Sequence, residues 1–584
     1  EKMMEPHDLY DATLRDRAVR AALGQAPFDV LITGGQLVDL ITGSIRAADV
    51  GMVGPMITSV HAPGARADAV EVVNVAGGFL SPGLIDMHMH VESSMITAAA
   101  YAAQVVPRGV TTVVWDPHEL ANTCGVAGVD YALNSAKGLA LRTLTLAPSC
   151  VPSAPGYEST GADFTPEVLV ELLARDDIHG LAEVMSMRAV LERDPRIVGI
   201  VQASLDAGKR VCGHARGLTG AQLQSFVTAG IRTDHELISA ADLIEKLQAG
   251  LTVEMRGSHD HLLPEFVAAL RDLPALPQTL TLCTDDVFVD DLAAQGGLDD
   301  VVRRLVKYGM DPIQALQAAT LNAATQLGRT DLGLIAPGRR ADIVVFDSLH
   351  DFRATHVWTN GIAYRTPAPD IAVPPALLNT VQVKELTADD FRIRASGQIP
   401  HLEVIEKPRF TQWGARKVET QDGFAVCPDG MARMAVINRF GVHSPVRMAF
   451  LAEWGQWSGA FATTVAHDAH NLSVFGGDEA NMALAANRAR ELGGGLIVVK
   501  DGQILAELAL PVAGLISTAP TAEIAAEFEA VREAMDQIVT WQPPLLVFKA
   551  CFGASLVCNP GPHLSDLGIV DSVTGRILRY GAVV

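Results

Sequence analysis

"SPGLIDMHMHVESSMI", residues Ser81 to Ile96, sets His88 and His90 two apart, behind an apolar run and ahead of Glu92. In a strand, successive side chains alternate faces, so residues i and i+2 project from the same side. Two imidazoles held together are costly to protonate and well suited to share a metal ion. Alone, an H-x-H reads equally well as two hydrogen-bonded histidines on a polar strand face. Its neighbours decide between the two.

Outward from that stretch, apolar runs with polar ends recur: "VTTVVWDPHE", "LRTLTLAPSC", "HGLAEVMS", "KRVCGHARG", "GIRTDHE", "LTVEMRGS" and "LTLCTDD". The segments between them are mostly helix-like, for example "TPEVLVELLARD" and "LLPEFVAALRDL". Eight β-α units within roughly 210 residues is the arithmetic of an α/β fold of the TIM type, a (β/α)8 barrel. In that fold function gathers at the C-terminal ends of the strands, where each of these runs carries its polar residues. The barrel is expected over residues 81–330. On either side the texture turns to short β runs broken by Gly and Asp, at "DVLITGGQLVDL" and again at "LIAPGRRADIVVFD". This predicts a small β domain in two pieces, 1–80 (after an N-terminal helix) and 331–380, with the barrel inserted between them. Residues 381–584 read as a C-terminal mixed α/β domain.

Charge narrows the function. The chain has 45 basic and 67 acidic residues, a net of -22, which argues against a nucleic-acid or anionic membrane partner. No apolar run reaches the roughly 18 residues of a membrane span, and the first residues carry no signal-peptide core. Seven scattered cysteines, with no C-x-x-C pair, suit a reducing cytoplasm. A homodimer is the default assembly.

Collected at the strand ends are His88 and His90 (strand one), Glu183 (strand four), His214 (five), His235 (six) and Asp285 (eight). Four imidazoles and two carboxylates on one face form the mixed N/O shell that a pair of divalent metals takes. Each residue alone has a plainer reading, as a hydrogen-bonded histidine or half of a salt bridge. The order H-x-H, carboxylate, His, His, Asp resembles the amidohydrolase superfamily, metal-dependent hydrolases on a (β/α)8 barrel with a flanking β-sandwich. The wording "SPGLIDMHMHVESSMI", "VVWDPHELANTCG", "APSCVPSAP", "GHARGL", "CTDD" and "VAHDAHN" is similar, within it, to the long bacterial adenine deaminase family, over nearly the whole chain. The resemblance implies that these six residues are the metal shell, holding two ions of Mn, Fe or Zn. Many binuclear superfamily members bridge their metals with a carbamylated lysine on strand four. Here "GLAEVM" offers Glu183 and no lysine, which weakens a dihydroorotase or hydantoinase reading.

The resemblance further implies hydrolysis of adenine to hypoxanthine and ammonia, by attack of metal-bound hydroxide on C6 with Asp285 as proton acceptor. Another heterocycle deaminase or a cyclic amidase on the same barrel is the alternative, and a catalytically dead scaffold is a third reading. His118 and Glu119 are further catalytic candidates. Glu92, Ser93, Arg216 and Ser258 are candidates to read the purine. Glu119 reads equally as half of a structural salt bridge, His118 as loop packing and Arg216 as a neutraliser of nearby carboxylates. His467, Asp468 and His470, with Asn471, form a possible additional metal site, or else a polar turn capping a helix. The G-x-G-x-x-G, P-loop and H-x-E/C-x-x-C signatures are absent.

Overall fold

The structure, a computed structural model, describes residues 5–541 and 547–582. Eight parallel strands occupy its middle: β1 (Leu84–Met89), β2 (Val110–Trp115), β3 (Arg142–Thr145), β4 (Gly180–Val184), β5 (Arg210–Gly213), β6 (Thr233–Asp234), β7 (Thr252–Arg256) and β8 (Leu280–Cys283). Each matches one of the apolar runs. Nearly every residue in them is buried, as parallel strands covered on both faces require. Ladders pair β1 with β2 and β2 with β3, β4 with β5, and β6 with β7 and β7 with β8. Single backbone contacts span the gaps. Ala147 bridges Leu181, Arg232 donates to the Val211 carbonyl, and Met89 bridges Asp285, which returns the order to β1.

The flanking β pieces hydrogen-bond into one eight-stranded sheet, in which Phe79–Pro82 pairs antiparallel with Ile343–Phe346. The expected boundary at residue 81 therefore falls inside a strand of this sheet. Gly83 separates it from β1, where a Cβ would run into the Thr111 side chain.

The C-terminal region builds a second eight-stranded sheet with a helix on each face. Strand Gly495–Lys500 divides its side chains by the period of two. Ile497 and Val499 share a core with Met482 and Ala486 of helix Glu479–Leu492. Leu496 and Val498 share another with Phe528 and Val531 of helix Thr521–Ile538. That second core is continuous with Trp115, Val289 and Leu292 of the parallel-strand region, so the C-terminal sheet lies against it. Arg532 fastens the contact, with Nε 2.6 Å from Asp290 Oδ2 and the guanidinium 4.7 Å from the Phe528 ring centre. Among the described residues no helix is long and apolar enough to cross a membrane.

Two local readings change. Helix His118–Ala136 begins directly after β2, so His118 and Glu119 stand in a helical first turn rather than a loop. The "VAHDAHN" segment is a turn between strands Ala460–Thr463 and Leu472–Gly476, not a helix cap.

Candidate active site

The strand ends bring the six expected side chains into one buried cluster, none more than 5% exposed. His88 Nε2 and His90 Nε2 each lie 3.3 Å from Asp285 Oδ1. The same nitrogens lie 3.6 and 3.5 Å from Glu183 Oε1. The other oxygen of Glu183, Oε2, lies 3.0 Å from His214 Nδ1 and 3.2 Å from His235 Nε2. Glu183 thus stands between two imidazole pairs, one oxygen to each.

Backbone geometry fixes the arrangement. Asp285 has φ +58°, a left-handed conformation that a side chain rarely adopts. It is held there by β1, since its N–H donates to the His88 carbonyl at 2.9 Å and its carbonyl accepts from His90 N at 3.3 Å. His90 Nδ1 donates to the Asp116 carbonyl at 2.8 Å, an outer hydrogen bond that fixes the ring with Nε2 toward the carboxylates. Asp234 ties β5 to β6, accepting from Ala215 N at 2.8 Å and Glu236 N at 3.1 Å.

Below Asp234 lies Lys246, fully buried, its Nζ 2.7 Å from Asp234 Oδ2 and 3.1 Å from Asp242 Oδ2. Lys246→Met strands the Asp234 carboxylate beside His235 without its cation. We expect a loss of about 3–5 kcal/mol of stability in urea denaturation; a loss below about 1 kcal/mol contradicts this role.

The electrostatics favour a cation. Burial opposes charge on Glu183, yet His235, His88 and His214 hold its carboxyl well below the usual range. Burial opposes it on Asp285 too, where Arg256, His88 and His90 outweigh it. Meanwhile His88 Nε2, His214 Nε2 and His235 Nδ1 are buried with no hydrogen-bond partner among the described residues. Of these only His88 Nε2 faces the carboxylates; with His90 Nε2, His214 Nδ1 and His235 Nε2 it completes four imidazole nitrogens around two carboxylates, a donor set that fits divalent metals.

A cavity opens over this cluster, with Met185, Phe288, Val465, Phe552 and Leu556 among its apolar walls. His118, Ser93, Arg216 and Ser258 line it, as do His467 and Asp468. Arg216 also has its plainer role, donating to Glu236 Oε2 at 3.0 Å. Ser258 Oγ is buried and has no partner among the described residues.

Two expectations are corrected. Glu92 does not line the cavity; it is fully buried, accepting from Trp115 Nε1 at 2.9 Å and Leu120 N at 3.3 Å. Glu119 is also fully buried and outside the cavity lining, where Ser93 Oγ donates to it at 3.2 Å. Of the "VAHDAHN" residues, His470 is fully buried behind the wall. Asp468 Oδ1 lies 3.5 Å from His467 Nδ1 and 3.8 Å from His118 Nε2.

Sequence reading missed several residues. Asp116, in the quoted "WDPHE", puts Oδ2 3.0 Å from His118 Nδ1. Arg256 pairs with Asp285 Oδ2 and lies 3.1 Å from Glu236 Oε1. Lys549 reaches in from the C-terminal region and donates to the Ser258 carbonyl at 2.6 Å. Burial, then Arg256, push its ammonium pKa down to about 8. Asp116 and Arg256 sit at strand ends, the signal used for the others. Nothing local marked Lys549.

Comparison with known proteins gives two family matches: "Amidohydrolase family" over residues 79–371 and "Adenine deaminase C-terminal domain" over residues 408–576. The chain is 59% identical to "Adenine deaminase 2" of Rhizobium meliloti, covering 99% of this chain and 98% of that one. It is 48% identical to "Adenine deaminase" of Klebsiella pneumoniae subsp. pneumoniae, covering 97% and 96%. Among solved structures, an Xaa-Pro dipeptidase with bound methionine aligns at a TM-score of 0.44 and 18% identity, covering 58% of this chain and 100% of that one.

Proposed function

That this chain belongs to the adenine deaminase family of amidohydrolases is the premise from which we propose how its site works. It is a metal-dependent hydrolase that deaminates adenine, giving hypoxanthine and ammonia. The eight parallel strands are read as a closed (β/α)8 barrel carried on a small β-sandwich, with the reacting groups at the C-terminal ends of the strands.

Two divalent ions, of Mn, Fe or Zn, would be held by His88, His90, Glu183, His214, His235 and Asp285, with Glu183 between them. The observation that carries this is the split of Glu183, Oε1 toward one imidazole pair and Oε2 toward the other. Bound there, such ions supply the acidification of water, lowering its pKa from about 15.7 toward about 7.

The chain's own groups do the rest. Arg256 pins Asp285 Oδ2, so Oδ1 faces the cavity floor. Asp285 accepts the proton of the attacking water and returns it to the departing amine. His118, oriented by Asp116, donates toward the charge that builds on the ring nitrogens. Phe288 and Phe552 offer apolar faces to the purine, while Arg216 and the Ser258 hydroxyl offer donors to its edge. Ser258→Ala removes one hydrogen bond, worth about 0.5–1.5 kcal/mol. We expect kcat/KM for adenine to fall about 2- to 10-fold, mostly through KM; an unchanged KM takes Ser258 out of the substrate site.

The assembly we propose is a homodimer acting on free adenine, without nucleic acid or membrane, checked by light scattering. All seven cysteines are free, which supports a reducing cytoplasm. The activity is tested by incubating the metal-loaded protein with adenine, guanine, cytosine and dihydropyrimidines and following ammonia. Release from adenine in step with hypoxanthine is expected; release from another ring but not from adenine rejects the assignment.

A further inference from the structure

At the edge of the cavity, with His467 in its lining and Glu119 and His470 buried behind it, lies a second cluster that the deamination chemistry leaves unused. Glu119 stands in the first turn of helix His118–Ala136, and His467 and His470 come from the turn that follows strand Ala460–Thr463. Glu119 Oε1 is 3.9 Å from His467 Nδ1, and Glu119 Oε2 is 3.9 Å from His470 Nε2. One donor atom from each of the three lies within 4.8 Å of the others.

The Glu119 and His470 side chains have 0% exposure. Glu119 Oε2 and both nitrogens of His470 are buried with no hydrogen-bond partner among the described residues. At 3.9 Å an imidazole and a carboxylate are too far apart to bond each other. Buried polar groups facing one another across such a gap are costly unless something fills it.

The spacing suits a cation. Donors about 2.1 Å from one tetrahedral ion stand about 3.4 Å apart, so the three side chains, whose donor atoms lie within 4.8 Å of one another, draw inward when an ion binds. The Ser93 hydroxyl, 3.2 Å from Glu119 Oε1, supplies the outer hydrogen bond that orients a ligating carboxylate.

We infer that Glu119, His467 and His470 hold a further divalent cation, of the zinc-like class that takes two imidazoles and a carboxylate. It ties the C-terminal turn to the helix that begins with His118. His118 and Asp468 lie beside Glu119 and His467 in sequence and line the cavity, so the ion steadies one wall of the active site without touching the reacting atoms.

Cobalt(II) is the probe. Crystals of the unaltered protein loaded with cobalt should give an anomalous-scattering peak within bonding distance of all three side chains. Equilibrium dialysis should find one cobalt fewer per chain in His470→Gln and in Glu119→Gln than in the parent, with circular dichroism confirming the fold. The same deficit of one should persist when both are compared in a His88→Ala background, which separates this site from the strand-end cluster. A peak here with none at His88 supports this site while removing the strand-end reading. No peak here with the strand-end cluster filled overturns the inference, as does an equal cobalt count in the folded variants. Where a variant does not fold, the anomalous map of the parent decides.

Discussion

Asp285→Asn is expected to lower kcat for adenine by about 10²–10⁴-fold, or more, while leaving the protein folded. An amide cannot accept the proton that Asp285 takes. The loss falls on the transition state, so kcat and kcat/KM should fall together. The fold should survive because the change does not strand Arg256. That guanidinium keeps Glu236 at 3.1 Å, and Glu236 is held ionised by Arg256, His214 and Arg216 against its burial. The left-handed backbone of residue 285 also tolerates asparagine. Steady-state kinetics with far-UV circular dichroism checks this. Turnover within about tenfold of the parent would leave Asp285 as a ligand only and move the proton to another group, with His118 in the cavity lining a candidate.

Glu183→Gln is expected to cost the protein both strand-end metals together, and with them nearly all turnover. The two Glu183 oxygens serve different imidazole pairs, and both draw on the one negative charge that the amide lacks, so both sides weaken. Gln keeps the volume but replaces one anionic oxygen with an NH2 that donates and cannot ligate. It also removes the negative charge that lets four imidazoles gather in a buried space, so the metal-free variant should be less stable as well. Metal analysis after dialysis against a mild chelator measures the first effect and thermal unfolding the second. A folded variant that keeps both ions and full turnover would make Glu183 an ordinary buried carboxylate, with the bridge elsewhere.

Much of this was legible in the sequence, for physical reasons. A parallel strand covered on both faces must be an apolar run, and one with chemistry at its end must break that run with polar residues. All eight strands carry this signature, and it led directly to His88, His90, Glu183, His214, His235 and Asp285. What failed was direction. Glu92 and Glu119 follow the right strands, but Glu92 turns back to the Trp115 indole and Glu119 sits one layer out, against the lining Ser93. Sequence distance from a strand end does not say which way a side chain points. The helix after β2 was missed because it begins at a histidine after proline and is broken at Gly125, with φ +62° and ψ -143°. Arg256 and Asp116 were passed over because their neighbours looked like the chemistry, though they orient it. Lys549 and the histidine turn reach the site only through packing of the C-terminal sheet on the parallel strands, a long-range contact with no local signature.

The central claim is that this chain deaminates adenine with divalent metals held by an unmodified Glu183. Its most direct test strips the metals, returns Mn, Fe or Zn in buffers with and without bicarbonate, and measures ammonia released from adenine. Glu183 is a carboxylate already, with an unperturbed pKa of about 4.3, and needs no carbon dioxide to carry its charge. The account predicts that activity vanishes on stripping and returns equally in both buffers. Activity that survives complete metal removal, or that returns only with bicarbonate, would contradict it.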